Sequence, residues 1–136
     1  MSESPNASAA TKPAVLWTSR VMSALVVLAL TMSAMGKLSH GADMVAMWTG
    51  KFGFPAETMT IVGVVELSVA ILYAIPRTSV LGAILLAAYL GGAFCTHLRA
   101  GEMGQGLPAI VLAIVGWGGI YLRDARIRVL IPLRAS

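Results

Sequence analysis

Four long apolar runs divide the chain, at about residues 15–35, 58–75, 79–98 and 107–122. Each run has about 16 to 21 residues, and at roughly 1.5 Å rise per residue a helix of that length matches one hydrocarbon thickness. The chain is 57% hydrophobic and only 12% charged, whereas a soluble domain is about a quarter charged. The pattern therefore predicts an all-α membrane protein, a bundle of four transmembrane helices.

The basic residues predict the orientation of this bundle. They lie at the ends of the apolar runs rather than on one interleaved face, which disfavours nucleic-acid binding. Four crossings place Lys37, Lys51 and Arg99 on one side and the other seven on the opposite side: Lys12, Arg20, Arg77, Arg123, Arg126, Arg128 and Arg134. The positive-inside rule then predicts that both termini lie in the cytoplasm.

The domain boundaries follow from the same pattern. We expect residues 1–14 to form a flexible cytoplasmic tail, 15–133 to form the four-helix transmembrane domain and 134–136 to be a cytoplasmic end. The segment 36–57 is too long for a tight turn, and Asp43 resembles the N-cap of a short interfacial helix between the first two spans. This segment would form a small periplasmic cap on the bundle, and its Trp48, Phe52 and Phe54 would join an aromatic belt at the outer membrane boundary.

Glu66 is the residue that most strongly suggests a site. An ionisable group in the middle of a span costs about 2.5 to 3.5 kcal/mol, so it should face protein. Gly63 shares its helix face, and Tyr89 should lie at a similar depth on the third span, where it is the expected hydrogen-bond partner. This environment favours a neutral carboxyl group unless Lys37 folds down from the outer boundary. Glu66 would be either a proton-binding or ligand-anchoring group, or a clasp between helices.

Other residues give weaker indications. His97 would form a cationic rim above Glu66 together with Lys37 and Arg99, although it is equally compatible with a boundary residue of no special role. Two histidines and one intramembrane carboxylate do not predict a metal site, and the lone Cys95 cannot form a disulfide within the chain. Small residues that let another helix approach closely, in this molecule or in a second copy, are Gly63, Ala83, Ala87 and Gly91.

Several motifs together resemble the DoxX-like family of small bacterial membrane proteins, over about residues 15–133. The resemblance implies four transmembrane helices and an inner-membrane location. It also favours a partnership with respiratory or redox-stress enzymes and contact with a quinone, without implying a particular reaction. The motifs are Ser33-x-x-Gly36-Lys37-Leu38, Gly63-Val64-Val65-Glu66-Leu67, Ile75-Pro76-Arg77-Thr78, Leu90-Gly91-Gly92-Ala93 with Thr96-His97-Leu98, and Tyr121-Leu122-Arg123-Asp124.

Three functions remain open. The first is a non-catalytic accessory subunit of a redox or quinone-linked system, which binds a lipophilic molecule or a partner protein around Glu66, Tyr89, His97 and Lys37. The second is a small proton-coupled carrier, and the third is a purely structural membrane protein. Homo-oligomers are possible. The carrier ranks below the accessory subunit, because transporters usually contain repeated halves and broken helices.

Overall fold

The computed structural model describes residues 11–133, and the elements in this part of the chain are helical. Four long helices carry the fold, and two short helices lie between and after them. The helices are α1 (Pro13–Leu38), α2 (Ala42–Ala46), α3 (Thr58–Ala74), α4 (Ser79–Arg99), α5 (Met103–Arg123) and α6 (Ala125–Leu130), with a π-helical turn, Met47–Lys51, directly after α2.

All four apolar runs form long helices, and the differences are at their ends. α1 starts at Pro13, inside the predicted tail 1–14, because a proline suits the first helical position, where its missing N–H leaves no bond unmade. Residues 1–10 and 134–136 lie outside the described part of the chain. α5 starts at Met103, about one turn before the predicted run, and ends at Arg123. The carboxylate of the next residue, Asp124, caps α6 by accepting the Arg126 backbone N–H at 3.0 Å.

Three of these helices, α1, α4 and α5, are long and apolar enough to cross a membrane. α3 is also apolar, but it has 17 residues and is shorter than the others. Outward-facing leucines, isoleucines and valines of all four helices are exposed, whereas a smaller set of residues forms the shared core. This arrangement is typical of a bundle that is surrounded by lipid.

The four long helices form a square in which each packs against two neighbours. α1 contacts α3 and α5, and α4 contacts the same two helices from the opposite corner. The start of α1 meets the ends of α3 and α5, since Ser23 contacts both Tyr73 and Arg123. Neighbouring helices therefore run antiparallel, and the core between them contains Val26, Leu30, Tyr73, Leu86 and Ile120.

Only some of the small residues lie at close helix approaches. A Cβ added to Gly63 would lie 3.0 Å from the Leu38 side chain, so this glycine lets α1 approach α3. Ala83 is fully buried and Ala87 is half-buried. Gly91 does not have the packing role expected of it within the chain, because an added Cβ would meet nothing within 4 Å. The tightest approach is at Gly82 instead, beside the backbone of Tyr73.

The segment between α1 and α3 folds over one end of the bundle, and we call residues 42–54 the cap. The predicted short helix is present as α2, but Gly41 rather than Asp43 occupies the N-cap position, and Asp43 lies in the first turn. Trp48 and Phe52 are buried, at 5% and 6% exposure. They pack against Met59 instead of forming the expected belt at the membrane boundary.

Candidate functional site

A cavity of about 520 Å³ lies beneath the cap, among α1, α3, α4 and α5. We call it the capped cavity. Most of its walls are apolar, contributed for example by Leu30, Val62 and Leu112. All four residues that the sequence singled out for ligand or proton binding border it, namely Lys37, Glu66, Tyr89 and His97.

An ion pair between Lys37 and Glu66 forms part of the cavity wall. The Lys37 ammonium donates to Glu66 Oε2 at 2.8 Å and to Ser33 Oγ at 2.7 Å. Both side chains are largely shielded, with 12% of the Lys37 side chain and 4% of the Glu66 side chain exposed. Lys37 therefore folds down along its helix instead of extending towards water, which is the arrangement under which we did not expect a neutral Glu66.

The backbone around Glu66 explains why Lys37 reaches it. Gly63 lies one turn before Glu66 on the same face of α3, and an added Cβ there would come within 3.3 Å of Lys37 Cβ. The end of α1 can thus lie directly against α3. Tyr89 on α4 borders the same cavity and is close enough to interact with the Glu66 carboxylate. Glu66 therefore has a cationic partner, Lys37, and a neutral hydroxyl group nearby.

Aromatic residues of the cap form the roof of the cavity. Trp48 and Phe54 have ring centroids 5.1 Å apart, and Phe52 meets Trp48 edge to face at 6.3 Å. The Trp48 indole N–H donates to the Thr58 hydroxyl at 3.0 Å, which joins the cap to the start of α3. The roof is thus both apolar towards the cavity and fixed in position by a directional bond.

Polar groups at the α4–α5 connection hold the other side of the cap. Glu102 forms an ion pair with Lys51 of the cap. The Arg99 guanidinium donates to the Phe52 carbonyl and lies 5.2 Å from the centre of the Phe54 ring. Lys37 and Arg99 therefore do not form the expected cationic rim with His97, because each has a separate partner.

His97 lies between this connection and the cavity. Its ring meets Phe52 edge to face, with centroids 5.0 Å apart. Its Nδ1 is 3.7 Å from Glu102 Oε2, a separation beyond hydrogen-bond length, and both buried atoms have no hydrogen-bond partner among residues 11–133. His97 is thus partly shielded and retains an unused polar atom.

The geometry favours an apolar ligand with a few polar atoms. Ligand sites commonly have about 300 to 1,000 Å³ of space, apolar walls and a small number of directed polar groups. The part of the chain that the structure describes has no cluster of three or more His, Cys, Asp or Glu side chains suited to a metal ion. The exposed Cys95 does not border the capped cavity.

Sequence reasoning missed that aromatic residues of the cap would border a cavity, and it missed the contribution of Glu102. Trp48, Phe52 and Phe54 were interpreted as boundary aromatics, although their clustering within seven residues also suits a small apolar cluster. Glu102 is the last residue of the short connection between α4 and α5, and nothing in its local sequence indicates that Lys51 would be its partner. The contact between Lys51 and Glu102 joins segments about 50 residues apart in the chain.

Comparison with known proteins supports one assignment. The family model described as the DoxX-like family matches residues 21–119, which include most of α1, all of α3 and α4, and most of α5. No curated protein and no solved structure gives a significant match. The match spans well over half of the chain and includes the residues that enclose the capped cavity. The chain is a member of the DoxX-like family of membrane proteins.

Proposed function

We propose that this protein is a non-catalytic membrane subunit that binds a quinone-like molecule in the capped cavity and serves a redox enzyme. The observation that carries the proposal is the cavity itself, with about 520 Å³ of space, apolar walls and the Lys37–Glu66 pair at its side. A substituted quinone ring is flat and apolar, with two carbonyl oxygens that accept hydrogen bonds. These properties match the walls and the donors of the cavity.

The donors available to such a ligand can be counted. An ammonium group has three N–H donors, and Lys37 directs two of them to Ser33 and Glu66. The third remains for a ligand carbonyl, and Tyr89, which interacts with Glu66, also borders the cavity. Phe52 and Trp48 of the roof would contact the face or edge of the ring.

The redox partner and the assembly are further parts of the proposal. The sequence contains no P-loop, dinucleotide-binding fingerprint or nucleophile elbow, so a bound quinone would serve the chemistry of another protein. Gly91 and Ala87 are small residues on α4, and an added Cβ at Gly91 meets nothing in the chain. That surface is open to a partner helix or to a second copy of this protein.

We also propose that α3 crosses the bilayer, which gives four crossings with both termini in the cytoplasm of the bacterial cell. At about 1.5 Å per residue its 17 residues extend roughly 26 Å, a few ångström short of a typical hydrocarbon core. It packs antiparallel between α1 and α4, so its ends lie near theirs.

Reporter fusions after Arg77 and Leu133 should report cytoplasm, and fusions at Thr49 and Gln105 should report periplasm. A periplasmic Leu133 fusion would contradict four crossings.

Adjacent glycines on α4 provide a matched test of ligand binding. An added Cβ meets nothing within 4 Å at either Gly91 or Gly92, but only Gly92 borders the capped cavity. We expect Gly92→Leu to weaken binding of decylubiquinone about tenfold or more, corresponding to at least about 1.4 kcal/mol, because the leucine occupies ligand space. Gly91→Leu should leave the affinity nearly unchanged.

The binding can be followed in purified protein by quenching of tryptophan fluorescence, since Trp48 lies in the cavity roof. Mass spectrometry of molecules that copurify with the protein would identify a native quinone. Failure of the wild-type protein to bind decylubiquinone, or equal affinities of the Gly91 and Gly92 variants, would contradict the proposed site.

A proton-coupled carrier is the second candidate, and the buried Lys37–Glu66 pair beside a cavity favours it specifically. A carrier needs a group that changes protonation as solute passes, and an intramembrane carboxylate is suited to this. In liposomes, a carrier would couple solute uptake to proton movement, and Glu66→Gln would fold normally but abolish the coupling. An accessory quinone-binding subunit would move no protons by itself.

A further inference from the structure

A second cavity lies at the opposite end of the bundle from the cap, where α1 begins and α3 and α5 end. It has a volume of about 460 Å³, and we call it the basal cavity. Two arginines border it, Arg20 of α1 and Arg123 of α5. Its remaining lining residues are neutral, so no carboxylate among residues 11–133 borders it to balance the two positive charges.

Arg123 is held in place by an ordered chain of hydrogen bonds. Its guanidinium donates to Ser23 Oγ at 2.6 Å, the Ser23 hydroxyl lies 3.1 Å from the Tyr73 hydroxyl, and the latter donates to the Gly116 carbonyl at 2.7 Å. Because Tyr73 uses its proton for the carbonyl, Ser23 must donate to Tyr73 and accept from Arg123. A guanidinium has five N–H donors, so most of them remain for another acceptor.

Ser19 supplies an independent indication of a ligand. It borders the basal cavity, is 0% exposed, and its Oγ has no hydrogen-bond partner among the described residues. Other helical hydroxyls in this protein donate to the carbonyl four residues earlier, as Thr31, Ser68 and Thr96 do. A buried hydroxyl without a partner is unfavourable, so an acceptor in the cavity would satisfy it.

A close approach of α1 and α5 brings these polar groups together. A Cβ added to Gly119 would lie 2.8 Å from Ser23 Oγ and 3.3 Å from the Ser19 carbonyl oxygen. The two helices therefore meet at backbone distance and bring Ser19, Ser23 and Arg123 to one wall. Residues about 100 positions apart in the chain thus share one small site.

We propose that the basal cavity binds a phosphate group, through Arg20, Arg123 and the Ser19 hydroxyl. Arginines recognise phosphate by paired, charge-assisted hydrogen bonds, and a serine hydroxyl supplies an additional neutral donor. The phosphate belongs either to the headgroup of an anionic phospholipid or to free inorganic phosphate. This site is separate from the capped cavity, and its presence does not depend on a quinone role.

The test uses the full chain in nanodiscs of phosphatidylcholine with added phosphatidylglycerol, with bound lipid counted by native mass spectrometry. We expect Arg123→Gln to weaken phosphatidylglycerol binding about tenfold, as expected for loss of one charge-assisted contact. Arg20→Gln and Ser19→Ala should each weaken it about threefold, since they remove a more exposed charge and a neutral donor.

Arg126→Gln is the matched control, because it removes the same charge nearby from a side chain that is 91% exposed. It should leave lipid binding unchanged.

A competition experiment distinguishes the two sources of the phosphate group. Displacement of the lipid by millimolar inorganic phosphate would identify free phosphate as the ligand, whereas resistance to phosphate would identify the lipid headgroup; both outcomes support the site. The proposal is overturned if the wild type neither prefers phosphatidylglycerol nor binds phosphate, or if Arg126→Gln weakens binding as much as Arg20→Gln and Ser19→Ala do. Arg20→Gln and Ser19→Ala keep the test valid if Arg123→Gln does not fold.

Discussion

Gly82→Ala should destabilise the protein by about 3 kcal/mol, the upper part of the range for overpacking a core. Gly82 lies in the first turn of α4, which follows a four-residue connection from α3. An added Cβ there would lie 2.7 Å from the Leu72 carbonyl carbon and against the Tyr73 backbone. Backbone atoms cannot rotate away as a side chain can. The Thr78 hydroxyl also ties the connection to the Leu72 carbonyl at 2.8 Å, so the hairpin has little freedom to open.

Gly91→Ala is the matched control on the same helix. Its added Cβ meets nothing within 4 Å, and replacing a helical glycine by alanine gains up to about 1 kcal/mol of helix propensity. Unfolding of both variants in mixed detergent micelles, followed by circular dichroism, measures the difference. Equal stabilities of the two variants would show that α3 and α4 do not meet at backbone distance at Gly82.

Lys37→Met should cost about 3 to 5 kcal/mol, the range for removing one partner of a buried ion pair. The substitution leaves the Glu66 carboxylate, which is 3% exposed, without its cation. Lys51→Met is a suitable control, since Lys51 also pairs with a glutamate but 43% of its side chain is exposed. A pair so accessible contributes about 1 kcal/mol or less.

A second substitution distinguishes loss of charge balance from loss of packing. In Lys37→Met/Glu66→Gln both charges are absent, so most of the stability lost in Lys37→Met should return. The comparison is made by unfolding each variant in the same mixed micelles. If Lys37→Met is as stable as Lys51→Met, or if the double variant is no more stable than Lys37→Met alone, the ion pair does not hold this part of the bundle together.

The long helices could be predicted from the sequence because each apolar run is bounded by residues that end a helix or suit its first turn. Pro76 follows the second run, whereas Pro13, which opens α1, was assigned to the predicted tail. The face of a helix also follows from spacing alone, which is why Gly63 and Glu66 were placed together. α6 was not predicted, although Asp124 at its N-cap is a signal that could have indicated it.

The partner of Glu66 could not be predicted with the same ease. Depth along the spans correctly brought Tyr89 to the level of Glu66, but a lysine at a span end can extend towards water or fold back along its helix. The choice depends on the cap, which covers the end of α1 and brings Met44 close to Gly36. No local pattern in residues 42–54 specifies that this segment covers the end of α1 in particular.

The basal cavity depends on contacts between residues that are even further apart in the sequence. Arg20 and Arg123 were both interpreted as topology signals, a role that explains their position at span ends but not their shared cavity. Ser19 is an ordinary helical residue in sequence, and only its burial without a hydrogen-bond partner makes it notable. Such a feature requires the packing of α1 against α5, which the composition of neither helix encodes.

The chemistry of the capped cavity depends on the charge state of Glu66, because an ionised pair orients the Lys37 ammonium towards a ligand. Carbonyl infrared spectroscopy at neutral pH, with Glu66→Gln as the reference, observes that state directly. We predict that the wild-type spectrum contains no protonated-carboxyl band that depends on Glu66, and that such a band emerges in Lys37→Met. A Glu66-dependent protonated-carboxyl band in the wild type would contradict the ion pair and would show that Glu66 is neutral.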